Sequence, residues 1–152
     1  MTPEQIDLVQ DSFDKIKPSA MEAVELLYDR LFSIAPQVRP LFRGNSSEQR
    51  RMLMTVLGTA VAGLGRLDKL GPTLGALGCR HATYGVEPAH YWLLGDALIW
   101  ALETRLGNAF TPAIKQAWVD AYAELADAMI AAAEEATSAP AGHGDANPTE
   151  ER

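Results

Sequence analysis

Apolar residues recur at helical spacing along most of this chain, and a capping residue followed by proline marks the start of several such segments. Thr2-Pro3 opens the first segment, with Gln5 placed to complete a capping box, and Thr111-Pro112 opens the last. No stretch shows sustained two-residue alternation rich in Val, Ile and Thr. The sequence therefore predicts an all-α domain of about six or seven helices.

Proline and serine set the boundaries predicted for the helices in between. Pro18 ends the first helix, and Ser19 with Glu22 is predicted to form a second capping box. A third long helix is expected from about Ser46 to Ala62, and Pro88 is expected to start another.

The segment from about residue 70 to 83 is rich in glycine. Gly71, Gly75 and Gly78 lower its intrinsic helix propensity, because glycine loses the most backbone entropy in a helix. We therefore expect a short, loosely held helix in this part of the chain.

The length of 152 residues suits one compact domain, and a hydrophobic content of 47% is enough for a sizeable core. From Thr137 onward the sequence turns to Ser, Ala, Pro, Gly, Asp and Glu, with little apolar surface to bury. We expect one domain over residues 1–136 and a flexible polar tail over residues 137–152.

The charge balance argues against two classes of partner. The chain has 20 acidic and 13 basic residues, a net charge of −7, and lacks basic runs, so neither nucleic acid nor an anionic membrane is an expected partner. The longest uncharged run, residues 52–65, is too short to span a bilayer as a helix. With one cysteine, Cys79, and no signal-like N-terminus, a soluble cytoplasmic protein is expected.

Few residues stand in a pattern that carries chemistry. The sequence contains no phosphate-binding glycine loop, no His-Glu-x-x-His, no cysteine pair and no nucleophile elbow. Its three histidines are His81, His90 and His143, of which His90 lies near a helix start as an exposed or capping residue and His143 lies in the tail. From residue type alone, His81 is more often a structural histidine than a ligand.

Four strings, in order along residues 2–135, change that interpretation of His81. Together they resemble the globin family, in particular bacterial single-domain globins, the globin domain of flavohaemoglobins, and neuroglobin. The strings are residues 28–42 with Tyr28-Asp29-Arg30-Leu31-Phe32 and Pro40-Leu41-Phe42, residues 49–57, residues 80–95 with Arg80-His81 and His90-Tyr91, and residues 110–122 with Phe110-Thr111-Pro112 and Ala117-Trp118.

This resemblance implies a globin fold, a haem b cofactor and a set of residues around it. His81 matches the proximal iron ligand, and Phe42 the phenylalanine that packs on the porphyrin, with an ordinary core aromatic as the alternative. Leu53 would wall the gas site, and Leu77 and Val86 would line the proximal side. Because Cys79 does not form the Cys-x-x-Cys-His attachment pattern, the haem would be held non-covalently.

Tyr28 and Gln49 match the family positions that donate hydrogen bonds to a bound gas. Each residue also has an alternative interpretation. For Gln49 it is a capping-box residue, three positions after Ser46, and for Tyr28 it is an ordinary core tyrosine with a satisfied hydroxyl. Since glutamine is a poor iron ligand, the resemblance implies an open or weakly filled sixth position. Two donors on O₂ would give tight binding with slow release.

The resemblance implies reversible O₂ binding for storage, transport or scavenging, with NO and CO as further ligands. The alternatives are an NO dioxygenase that needs an external reductase, and a gas sensor; whether the chain is an enzyme and its oligomeric state stay open. Flavohaemoglobin domains pair the proximal histidine with a tyrosine, matched by Tyr91, and with a glutamate. That glutamate position falls on Ala133, with Glu134 one residue away and about 100° around the helix, which weakens the enzymatic interpretation.

Overall fold

The computed structural model describes residues 1–42 and 46–138. Its regular elements there are helices, and six of them are α-helices, which confirms the predicted fold class. The α-helices are α1 (Pro3–Ile16), α2 (Ala20–Ile34), α3 (Ser46–Ala62), α4 (Leu67–Thr83), α5 (Pro88–Leu106) and α6 (Pro112–Ser138), and short 3₁₀ segments cover Lys17–Ser19, Pro36–Leu41, Leu64–Arg66 and Gly107–Ala109.

Local sequence explains how α1 and α5 begin. At α1 the backbone N–H of Gln5 donates to Thr2 Oγ1 and the backbone N–H of Thr2 donates to Gln5 Oε1, both at 3.1 Å, so the predicted capping box is confirmed. At α5 the Glu87 side chain accepts the backbone N–H of His90, and His90 Nδ1 accepts the backbone N–H of Glu87 at 2.9 Å. His90 is therefore a capping residue, as expected from the sequence.

The second predicted capping box is wrong. Ser19 precedes α2 without capping it, and its hydroxyl donates instead to the Ile16 carbonyl at 3.4 Å. The reason lies in the connection: a 3₁₀ turn over Lys17–Ser19 continues the winding of α1 directly towards α2, so the Ser19 backbone lacks the extended conformation that a capping side chain needs.

A main core of apolar side chains joins α1, α2, α5 and α6. Trp118 is the largest of its fully buried side chains; its indole N–H donates to the buried Ser12 hydroxyl at 2.8 Å, and that hydroxyl donates to the Leu8 carbonyl of α1 at 2.7 Å. The polar atom of the largest buried ring is thereby satisfied, so the ring adds apolar burial without an unpaired donor.

The glycine-rich segment is not short or loosely held, contrary to the prediction. It forms the 17-residue helix α4, which packs against α6 along its length. A Cβ built at Gly78 would overlap the main-chain carbonyl of Met129, and one at Gly75 would contact the Ala132 methyl group at 3.5 Å. Close packing of the two backbones requires small side chains at this crossing, and the buried contact outweighs the low helix propensity.

The packing leaves one pair of neighbouring helices apart. Helix α2 packs on α5 and α3 packs on α2, whereas α4 packs on α6; in the described part of the chain α3 and α4 have little contact with each other. Helix α6 continues to Ser138, and the rest of the predicted tail, residues 139–152, lies outside the described residues. Among those described, no helix is long and apolar enough to cross a membrane.

Candidate functional site

His81 lies in the last turn of α4, half-buried, beside a tyrosine from the next helix. The hydroxyl of Tyr91 is 3.3 Å from His81 Nδ1, and the two ring centroids are 6.1 Å apart. Because that hydrogen bond engages Nδ1, Nε2 is the ring nitrogen left for a further ligand.

The surroundings of His81 favour its neutral form. Burial lowers the pKa of His81 below its ordinary value, and the nearby Arg80 guanidinium lowers it further. A neutral imidazole is the form that binds a metal through a ring nitrogen lone pair, so burial and charge prepare the side chain for ligation.

Tyr91 is itself held by α6, through a contact that sequence reasoning missed. The Tyr122 hydroxyl donates to the main-chain carbonyl of Tyr91 at 2.6 Å, and burial raises the pKa of Tyr122, so the phenol stays protonated as a donor. The Tyr122 ring lies so close to α5 that a Cβ at Gly95 would be 2.7 Å from it. Glycine at residue 95 leaves the room that this close approach of the ring requires.

Replacing Tyr122 by phenylalanine tests this contact. The Tyr122→Phe variant keeps the ring and loses the donor, so the free energy of unfolding is expected to fall by about 1 kcal/mol in urea denaturation. The control is Tyr84→Phe, because Tyr84 is 65% exposed and its hydroxyl loss is expected to change stability by less than about 0.5 kcal/mol. Equal stability of wild type and Tyr122→Phe would contradict a structural role for this bond.

Leu77 and Val86 belong to the same side of the molecule as His81. Both are half-buried and pack against a second apolar cluster that includes Tyr91 and Met129. The backbone N–H of Val86 also donates to the His81 carbonyl at 3.1 Å, which fixes the chain reversal after α4. These two predicted proximal residues therefore lie in one cluster with Tyr91.

Tyr28 lies on α2, buried in a group of three aromatic rings. Its ring meets that of Phe42 edge-on at 5.3 Å between centroids and that of Phe32 at 5.9 Å. Burial raises the pKa of Tyr28, and the Arg50 guanidinium, 5.5 Å from the ring centroid, acts in the opposite direction. Among the described residues none forms a hydrogen bond with the Tyr28 hydroxyl.

The other predicted residues on this side lie on α3 and just before it. Phe42, Gln49 and Leu53 are each half-buried, and Phe42 and Leu53 pack against the main core. The capping-box alternative for Gln49 depends on the side chain of Ser46, which lies outside the described residues. The structure thus places the predicted residues in two groups, one with Tyr28, Phe42 and Leu53 and one with His81 and Tyr91.

A cavity of about 310 Å³, here called the α4–α6 pocket, adjoins the second group. Its lining includes Tyr91, Val86 and, from α6, Ala133 and Glu134. The Tyr91 hydroxyl that bonds to His81 Nδ1 belongs to the same residue that lines this pocket. Sequence reasoning missed the pocket itself, because Ala133 stands in a run of three alanines that gives no sign of a cavity beside one of them.

In the part of the chain that the structure describes, six α-helices, a half-buried histidine with one ring nitrogen engaged and a buried tyrosine define a helical protein with a candidate metal-cofactor site. The sequence profile of the globin family matches residues 25–129, and the chain belongs to the globin family. The resemblance seen in the sequence is thereby confirmed.

The relatives are a mixture of single-domain and larger proteins. The chain is 28% identical over 128 residues to the flavohemoprotein of Bacillus subtilis (strain 168), covering 82% of this chain and 32% of that protein. It is 27% identical over 137 residues to the neuroglobin of Tetraodon nigroviridis, covering 81% of this chain and 86% of that protein. It is also 28% identical over 133 residues to a flavohemoprotein of Deinococcus radiodurans, covering 86% of this chain and 33% of that protein. The chain therefore spans about one third of the length of the flavohemoproteins it matches.

Solved structures confirm the globin fold. A bacterial globin from Campylobacter jejuni superposes with a TM-score of 0.81 at 23% identity, covering 91% of this chain and all of the other. An engineered carbene transferase, described as a putative nitric oxide dioxygenase from Rhodothermus marinus, gives the same TM-score and identity and covers 91% and 96%.

Globin membership implies haem b, held without a covalent bond, and the residues of this structure fit it. His81 offers Nε2 of a neutral imidazole, and the buried Tyr28 hydroxyl has no described partner of its own. Four large apolar side chains are only half-buried: Phe42 and Leu53 pack against the main core, and Leu77 and Val86 pack against the second cluster. Burial against an apolar cofactor would remove their remaining exposed surface from water.

Proposed function

We propose that this chain is a globin that holds haem b through His81 and reversibly binds O₂ on the opposite side of the iron, with residues 1–136 as the globin domain. The observation that carries the proposal is the pairing of a half-buried, neutral His81 with the Tyr91 hydroxyl at 3.3 Å. Haem iron supplies the open coordination position for a diatomic gas. The protein's own residues decide which gas stays bound and for how long.

On the proximal side, the Tyr91 hydroxyl fixes the orientation of the His81 ring. A hydrogen bond at Nδ1 sets the tautomer and tunes how strongly Nε2 donates to iron. Phe42, Leu53, Leu77 and Val86 would line the cofactor with apolar surface and exclude water from it.

On the other side, Tyr28 and Gln49 would donate hydrogen bonds to the bound gas. Bound O₂ carries partial negative charge, whereas CO carries little, so two donors favour O₂. Burial keeps the Tyr28 hydroxyl protonated at neutral pH, as a donor must be. The result is retention of O₂, which suits scavenging better than delivery.

Removal of either donor is expected to speed O₂ release. Each hydrogen bond to a charged partner contributes about 1.5–3 kcal/mol, so Tyr28→Phe and Gln49→Ala should each raise the O₂ dissociation rate by about tenfold or more. Stopped-flow displacement of O₂ by CO measures this rate.

The matched control is Phe32→Leu, which alters the aromatic group next to Tyr28 without removing a donor. CO release from Tyr28→Phe and Gln49→Ala is expected to change much less than O₂ release. Unchanged O₂ release in both donor variants would show that neither side chain reaches the gas.

NO dioxygenase activity with an external reductase is the second candidate. It is favoured by the flavohemoprotein relatives and by the His81–Tyr91 hydrogen bond, which would make a bound iron more electron-rich with His81 Nδ1 as the donor. One NO, one O₂ and one electron from the reductase give one nitrate. Sustained nitrate production with a reductase added to the assay would support it, whereas a single turnover followed by arrest would contradict it.

A further inference from the structure

We propose that the α4–α6 pocket binds a small organic cation, an ammonium group carrying an apolar substituent. This site adjoins Tyr91, the partner of His81, and is separate from the gas site of the proposed function. The cavity of about 310 Å³ is within the range of small-molecule sites.

Small residues on two helices create the space. Gly78 and Ala82 contribute from α4, and Ala133 contributes from α6. Gly78 brings the helices together at Met129, and the methyl group of Ala133, one turn further along α6, is too small to fill the volume beside Tyr91. Val86 and Ile130 complete an apolar wall suited to a hydrocarbon group.

The charges of the pocket select a cation. Glu87 and Glu134 line it, and none of its described lining residues is basic. Glu87 also caps the N-terminus of α5, so that helix end is already matched by a carboxylate. Ala82, in the last turn of α4, also lines the pocket, and the dipole at the C-terminal end of a helix favours positive charge. The chain's net charge of −7 adds to the attraction.

Tyr91 provides a further reason for an ammonium ligand. Tyr91 lines the pocket, and a tyrosine ring attracts quaternary ammonium groups to its face. Its hydroxyl is the one 3.3 Å from His81 Nδ1. A cation in the pocket therefore contacts the residue that orients His81, and its binding should alter the electronic state of the cofactor.

Benzyltrimethylammonium is the probe, because its nitrogen has no lone pair and cannot ligate iron. Titration of the haem-loaded protein by calorimetry is expected to show one saturable site with a Kd on the order of 1 mM. Benzyl alcohol, which has the ring without the charge, and benzenesulfonate, which has the opposite charge, should bind at least about tenfold more weakly. The haem absorption maxima should shift with the same saturation curve.

Two variants with matched controls locate the site. Ala133→Phe fills the pocket and is expected to weaken binding at least about tenfold, whereas Ala131→Phe, on the exposed side of α6, should not. Glu134→Gln is expected to weaken binding about threefold, and Glu135→Gln, outside the described lining, should leave it unchanged.

Three results would overturn the proposal: no saturable binding of the cation, equal binding of benzyl alcohol, or full binding by Ala133→Phe. Calorimetry reports binding without relying on gas chemistry. A chain that binds the cation but not O₂ would contradict the proposed function alone, and the reverse result would contradict this inference alone.

Discussion

Replacement of His81 by alanine is expected to lower haem affinity by more than about 100-fold, since loss of a residue that only supports a metal ligand already costs 10–100-fold. The variant removes the ring whose Nδ1 meets the Tyr91 hydroxyl and whose Nε2 would bind iron. Haem transfer to a scavenging apoprotein, followed by absorption, measures the effect. Added imidazole should restore part of the affinity, because the deleted side chain leaves a cavity of that shape.

His90→Ala is the control for that experiment. His90 Nδ1 accepts the backbone N–H of Glu87 at the start of α5, so its loss should cost about 1 kcal/mol of stability or less and leave the haem spectrum intact. If His81→Ala kept full haem affinity and His90→Ala lost it, the ligand would be His90 and the proposed site would be wrong.

The second large effect is expected at Gly78. A Cβ built at Gly78 would overlap the main chain of Met129, since the Met129 Cα would be only 2.8 Å from it. A backbone cannot move aside as a flexible side chain can. Gly78→Ala should therefore separate α4 from α6 and lower the free energy of unfolding by about 2 kcal/mol in urea denaturation. Because His81 follows three residues later on the same helix, haem affinity should fall as well.

Gly75→Ala gives the opposite expectation on the same helix. A Cβ at Gly75 meets only the Ala132 methyl group at 3.5 Å, an ordinary van der Waals contact, so alanine there should stabilise the chain by up to about 1 kcal/mol through helix propensity. If Gly78→Ala stabilised the protein as Gly75→Ala does, the close approach of α4 to α6 would be absent in solution.

Much of the fold follows from local chemistry. The Thr2–Gln5 capping box and the start of α5 at Pro88 depend on neighbouring residues, and both agree with the sequence prediction. Ser19 shows where local reasoning fails: its capping pattern is present in the sequence, but the 3₁₀ turn before it sets a backbone conformation that the pattern does not encode.

The candidate site divides in the same way. The family pattern alone singled out His81, Tyr28 and Gln49, because residue types at fixed intervals are visible in a sequence. The Tyr122–Tyr91 bond and the α4–α6 pocket depend on how α6 lies against α4 and α5. Spacing along one helix carries no information about such contacts between helices.

The sequence by itself determined the helical class, most helix boundaries and the positions of the residues that resemble the haem site of globins, since periodicity and capping are local properties. Only the tertiary structure decided that the glycines of α4 strengthen a helix crossing, where propensity alone predicts a weak helix. The physical reason is that close packing between two backbones requires the absence of a side chain, and its energy is gained only when the partner helix is in place.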